Sequence, residues 1–109
     1  MLLASLPDDG ALPDTQLDRY CDLAELIGFV AVLGGGAATA NGNLRGGPLA
    51  EGDPLRGTWT EVALGPGYGA CFVAKLQEDG SWRFATSYDR ETVVECAVVL
   101  MARMPSLSV

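Results

Sequence analysis

The sequence predicts an α+β domain, built as a single mainly antiparallel sheet of four to five strands with an N-terminal and a C-terminal helix packed on it. Three stretches carry that expectation. Residues 58–88 hold three short runs rich in β-branched and aromatic residues, separated by glycine turns. Residues 90–104 form one strongly apolar run behind Asp89. Residues 14–27 place their apolar side chains at helical spacing.

The first run, Thr58 to Leu64, alternates in the manner of a half-buried strand and stops at Gly65-Pro66-Gly67-Tyr68-Gly69, where Pro66 removes a ladder donor. A second run, Ala70 to Leu76, turns at Gln77-Glu78-Asp79-Gly80 into a third, Trp82 to Tyr88, with Asp-Gly as the turn signal. The three are expected to pair antiparallel. Period two then places Val62, Leu64, Phe72, Leu76, Trp82 and Phe84 on one dry face, with Glu61, Lys75 and Arg83 on the wet one.

Asp89 suits an N-cap, because its carboxylate can accept the orphan N–H groups of a first turn and its charge matches that end of the helix dipole. The helix should run from Arg90 to Met104 and stop at Pro105. Between Val93 and Met101 a single charge, Glu95, interrupts the apolar residues, so this helix needs cover on two sides. The N-terminal helix, a second sheet layer or the same helix of a second subunit would supply it.

Residues 1–13, with Pro7, Gly10 and Pro13, are expected to be a flexible lead-in, and residues 14–109 a single domain. Asp14 or Thr15 caps a helix reaching about Ile27, with Leu17, Tyr20, Cys21, Ala24 and Ile27 on its apolar side. On the other side Asp14, Asp18, Asp22 and Glu25 form an acidic stripe roughly 15 Å long at about 1.5 Å per residue. Gly28 then suits a helix C-terminus, and Phe29 to Leu33, apolar on both faces, suits a central strand.

Residues 34–57 contain eight glycines and two prolines and are expected to be a Gly-rich hairpin or loop. The strand followed by Gly34-Gly35-Gly36 resembles the dinucleotide-binding turn, with Thr39 where the third glycine or alanine belongs. A phosphate turn must open a helix so that its N–H groups face the anion. Here an Asn41-Gly42 turn and then Gly46-Gly47-Pro48 follow, so no nucleotide cofactor is expected. The inventory of elements is similar to that of profilin-like and dynein-light-chain-like small folds, and no motif ties the chain to either.

Composition narrows the chemistry. The chain has no histidine, which removes the commonest general base and metal ligand and excludes Ser-His-Asp and Cys-His nucleophile systems. Cys21, Cys71 and Cys96 are far apart in sequence with no CxxC pair, so they read as reduced thiols, and neither metal nor cofactor is expected. A net charge of -7 with only seven Lys and Arg argues against nucleic acid. No apolar run reaches membrane-spanning length and no secretory leader is evident, so a cytoplasmic, non-enzymatic protein is expected.

The reading that follows is a protein-interaction module, of the small acidic inhibitor or immunity type, that engages a basic partner surface through Asp14, Asp18, Asp22 and Glu25. Arg56, Trp59 and Tyr68 are the expected contact cluster, since Arg and aromatic residues dominate interface anchors. Two alternatives stand beside it: a homodimeric scaffold or adaptor sealed by the C-terminal helix, and a small-molecule domain with its pocket under Gly34 to Gly36, Arg56 and Tyr68.

Overall fold

The computed structural model describes residues 1–6, 14–27, 29–34 and 44–104, with the backbone alone for 14–17. Eight elements follow in order: β1 (Leu2–Ser5), α1 (Asp14–Ile27), β2 (Val30–Leu33), β3 (Leu44–Gly47), β4 (Thr58–Gly65), β5 (Tyr68–Leu76), β6 (Trp82–Ser87) and α2 (Arg90–Met101). They build one mixed sheet of six strands in the order β3-β2-β1-β4-β5-β6, one strand or more beyond expectation and not antiparallel throughout.

The additional strand comes from the expected lead-in. β1 lies in the middle of the sheet, parallel to β2 and antiparallel to β4. Leu3, Ala4, Ser5 and Leu6 are all buried, as are all four residues of β2. A strand covered on both faces shows no alternation, so four apolar residues ahead of Pro7 carry no period-two signal. The expected Asn41-Gly42 hairpin falls outside the described residues. β2 and β3, the strands on either side of it, run parallel, which a tight hairpin cannot produce. The Gly28 cap, the Pro105 stop and residues 7–13 also lie outside them.

The helices sit on opposite faces. α1 packs on β2 and β3, closing a core of Ala4, Val30, Val32 and Leu44 with Tyr20 and Ala24. α2 packs on β1, β4 and β5, closing a second core of Leu3, Leu33 and Val62 with Val93, Ala97 and Leu100. Its N-terminus is formed as expected: Thr92 N donates to the Asp89 carboxylate at 3.0 Å and Thr92 Oγ1 donates to it at 2.8 Å.

The face assignment of the meander is corrected by its register. Val62 pairs with Cys71 and Glu61 with Phe72, so even-numbered residues of β4 share a face with odd-numbered residues of β5. The cause is the turn: Gly65 pairs with Tyr68, leaving only Pro66 and Gly67 between the strands, and a two-residue loop joins positions of opposite parity. The β5–β6 turn is five residues long, from Leu76 to Trp82, and keeps parity. Val62 and Leu64 therefore lie under α2 with Cys71, while Phe72, Leu76, Trp82 and Phe84 lie on the other face with Trp59 and Glu61.

The stretch 48–57 is held in place. Gly34 N donates to the Gly47 carbonyl at 2.9 Å, Arg56 Nη2 to the Leu49 carbonyl at 3.2 Å, and Leu55 N to Asp53 Oδ1 at 2.9 Å. Arg103, just past α2, donates through Nε to Asp53 Oδ2 at 2.7 Å, and this guanidinium holds the Asp53 carboxyl below the usual carboxylate range. Leu49 is buried against the α2 core.

Candidate docking face

Because α1 packs mainly on β2 and β3 and meets β4 at its edge through Tyr20, no helix among the described residues lies over the same face of β5 and β6. Its cross-strand rows are Trp59–Ala74–Phe84 and Glu61–Phe72–Thr86, read from the pairing registers. Alanine stands between two aromatic rings in the first row, so large side chains make walls and the small one makes a floor. The result is an open groove of about 460 Å³ lined by Trp59, Phe72, Ala74, Trp82 and Phe84. The Phe72 and Phe84 rings lie 6.1 Å apart with planes tilted by 32°. Trp59 Nε1 is buried with no hydrogen-bond partner among the described residues.

The groove is exposed to a degree that folding alone does not require. Phe84 is 73% exposed and Tyr88, one residue past β6, is 79% exposed. A smaller hollow continues along the sheet between Ala63, Ala70, Phe72 and Tyr88. Single exposed apolar residues are ordinary on a protein surface, whereas contiguous aromatic patches mark docking sites.

On its inner flank the groove meets α1. Tyr20, 5% exposed, donates its hydroxyl to Glu61 Oε1 at 3.0 Å and so ties α1 to β4. Burial, and then the Glu61 charge, pushes the Tyr20 phenol well above its ordinary value, which keeps it a donor. Arg19 and Leu23 line the hollow between α1 and Trp59. The groove is therefore walled by apolar side chains, with Glu61 and Arg19 as the charges at its inner end.

The expected site residues are placed as follows. Asp18, Asp22 and Glu25 are exposed, and Asp14 lies in the first turn of α1 with its side chain outside the described set. Arg56, Trp59 and Tyr68 do not form one cluster. Trp59 is a wall of the groove, Arg56 reaches Leu49, and Tyr68 pairs with Gly65, six residues along β4, a separation of about 20 Å at roughly 3.3 Å per residue. Gly35 and Gly36, expected to frame a pocket with Gly34, Arg56 and Tyr68, lie outside the described residues. A Cβ on Gly34 would stand 2.9 Å from the Leu6 carbonyl oxygen and 3.2 Å from Leu49 Cδ1. Phe72, Trp82 and Phe84, expected in the dry core, are the site residues that sequence reading missed; the two-residue turn at Pro66-Gly67 was the signal that could have found them.

α2 keeps part of its apolar surface uncovered. Val94, Val98 and Met101, at i, i+4 and i+7, are exposed because α1 lies across the sheet from them. Cys96 packs toward Cys71 beneath the helix, where burial and that neighbouring thiol push its pKa above the ordinary value and disfavour the thiolate. Among the described residues no group of three acidic or thiol side chains could hold a metal ion, and no helix is long and apolar enough to cross a membrane. Comparison with known proteins gives no matching family model and no significant match to a curated protein or to a solved structure.

Proposed function

We propose that this chain is a non-enzymatic protein-binding module that docks an apolar segment of another protein in the aromatic groove of β4–β6. The single observation carrying the reading is the uncovered half of the sheet, with Trp82 and Phe84 at its rim. Aromatic side chains at the centre of a concave, desolvating patch are the residue types that supply most binding energy at protein interfaces. The acidic stripe of α1 lies on the same side of the sheet and gives the partner a preferred charge: a basic flank beside the apolar segment, attracted by Asp18, Asp22 and Glu25. A small acidic inhibitor or immunity-type protein is the form of binder that fits this pairing of surfaces.

The test places a photo-crosslinking phenylalanine analogue at Phe84 or, as a control on the β5–β6 turn, at Glu78, and irradiates cells of the native host. The expected result is a discrete covalent adduct from position 84, absent from position 78 and weakened when Asp18, Asp22 and Glu25 are changed to Lys. Equal labelling from both positions, or none, would remove the reading. The stripe Val94, Val98 and Met101 supports a second one, a homodimeric scaffold with α2 as its seam.

A further inference from the structure

β6 is an edge strand of a kind that proteins ordinarily protect. It is six residues long, contains no proline and carries one charge, Arg83. Among the described residues nothing pairs with its outer side, since the sheet ends there, and α2 lies over β1, β4 and β5. Proteins blunt free edges with proline, bulges, charges or a covering element, and an edge left plain is a template for another strand. The opposite edge, β3, is shorter, has two glycines in four residues and is packed beneath α1.

We infer that β6 pairs antiparallel with β6 of a second copy of this chain, about a two-fold axis passing at Ala85. The occupant is identified by complementarity that the sequence of β6 has with itself. With Ala85 opposite Ala85 of the second copy, Phe84 stands opposite Thr86, and continuing the register puts Trp82 opposite Tyr88. The groove face then matches a large ring with a small side chain and an aromatic with an aromatic. On the α2 face Arg83 stands opposite Ser87 and diagonal to Asp89 of the second copy, within reach of a long side chain.

That diagonal charge answers an imbalance in the single chain. Lys75 and Arg83 are directly opposite on β5 and β6, both exposed, with no carboxylate partner among the described residues. Like charges in that position are unfavourable. Asp89 has a free oxygen to offer, because both Thr92 donors bind Oδ2. The two-fold axis repeats the Arg83–Asp89 contact at both ends. Shifting the register by two residues in one direction sets Arg83 against Ala85 and brings the two arginines closer, and by four sets Arg83 against itself. Shifting by two in the other direction sets Arg83 against Asp89 but places Trp82 against Arg90, the first residue of α2, which has no strand to offer, so 85-to-85 is the favoured alignment.

The pairing also bears on the groove. Tyr88 of the second copy extends the wall begun by Trp82, and the two grooves become one face. The interface is nonetheless isologous and stands or falls independently of what occupies the groove.

Cysteine scanning along β6 tests it. Directly opposed residues in an antiparallel pair have Cα atoms about 4.5 or 5.5 Å apart, inside the range of a disulfide in either case. Phe84 and its own copy would be displaced by two residues and lie beyond about 7 Å, outside that range. Under mild oxidation, at protein concentrations up to about 1 mM, the Ala85→Cys protein should form a covalent dimer about tenfold faster than Phe84→Cys or Arg83→Cys, each corrected for the wild-type rate. Sedimentation of the unmodified chain over the same range should show mass rising from 11.4 kDa toward twice that value, and Arg83→Asp should suppress the rise. Equal rates from the three positions, a faster rate from Val98→Cys, which would locate the seam on α2, or a single chain at every concentration would each overturn the inference.

Discussion

Phe84 on β6 stands directly opposite Ala74 on β5, and the small side chain leaves the ring with a floor beneath it and solvent above. A ring so placed contributes little to folding. Replacing Phe84 with Ser should change the unfolding free energy by about 0.5 kcal/mol or less, whereas Leu100→Ala, at a fully buried site, should cost about 2–5 kcal/mol. Denaturant unfolding of the two variants checks this. A hydrophobic fluorescent dye should also bind Phe84→Ser less than the parent.

Two glycines with positive φ separate strain from crowding. Gly34 has φ +74° and faces the Leu6 carbonyl, while Gly52 has φ +82° and open space around it. Alanine at Gly52 should lower stability by about 1 kcal/mol from the backbone alone. At Gly34 the loss should be larger, because the added carbon must push aside main chain. Thermal melts of both variants give the comparison.

Ser5 Oγ is fully buried in β1 and has no hydrogen-bond partner among the described residues. Removing an unsatisfied buried hydroxyl relieves its desolvation, so Ser5→Ala should be neutral or stabilising by up to about 1 kcal/mol. That sign is opposite to the usual effect of a core substitution, and a shift of the melting temperature reads it directly.

Tyr20 gives the fold an alkaline limit. Its phenol is raised by burial and by Glu61, so the folded chain keeps the proton at pH values where the unfolded chain releases it, above about 10. The stabilisation is complete below that value and is lost as pH rises above it. Tyr20→Phe should cost about 1 kcal/mol at neutral pH through the lost bond to Glu61, and should flatten the fall in stability above pH about 10. Unfolding curves at pH 8 and pH 11 decide it.

Cys96 should resist alkylation. Burial and the adjacent Cys71 raise its thiol, and the thiolate is the reactive form. Labelling of the folded chain with iodoacetamide near pH 8, followed by peptide mass analysis, should leave Cys96 and buried Cys71 slower than the same residues in denaturant by an order of magnitude, about tenfold.

The parts of the fold legible in the sequence are those with a period of their own. α1, β2, the three meander strands and the Asp89 cap are each marked by spacing or by a capping carboxylate. β1 was not legible, because Leu2 to Ser5 is buried on both faces and four residues offer no alternation. The β2–β3 pairing was hidden because composition does not distinguish a parallel neighbour from a hairpin. The docking face was misread through one turn. Counting Gly65 to Gly69 as a loop of five gives Phe72 the face of Val62; with two residues in the turn, Phe72 shares a face with Glu61 instead. The exposure of Asp18, Asp22 and Glu25 was readable from spacing alone, since a solvated face needs no knowledge of its surroundings.

The measurement that bears most directly on the docking face joins stability to binding in one variant. Trp82→Ser with Phe84→Ser should unfold within about 1 kcal/mol of the parent and stay soluble, because both rings lie outside the core. A crosslinker placed instead at Leu76, beside Trp82 on the same face, should then lose the adduct it gives in the parent chain. A variant that unfolds would mean these aromatics belong to the core, and a folded variant that keeps its adduct would mean the partner docks elsewhere.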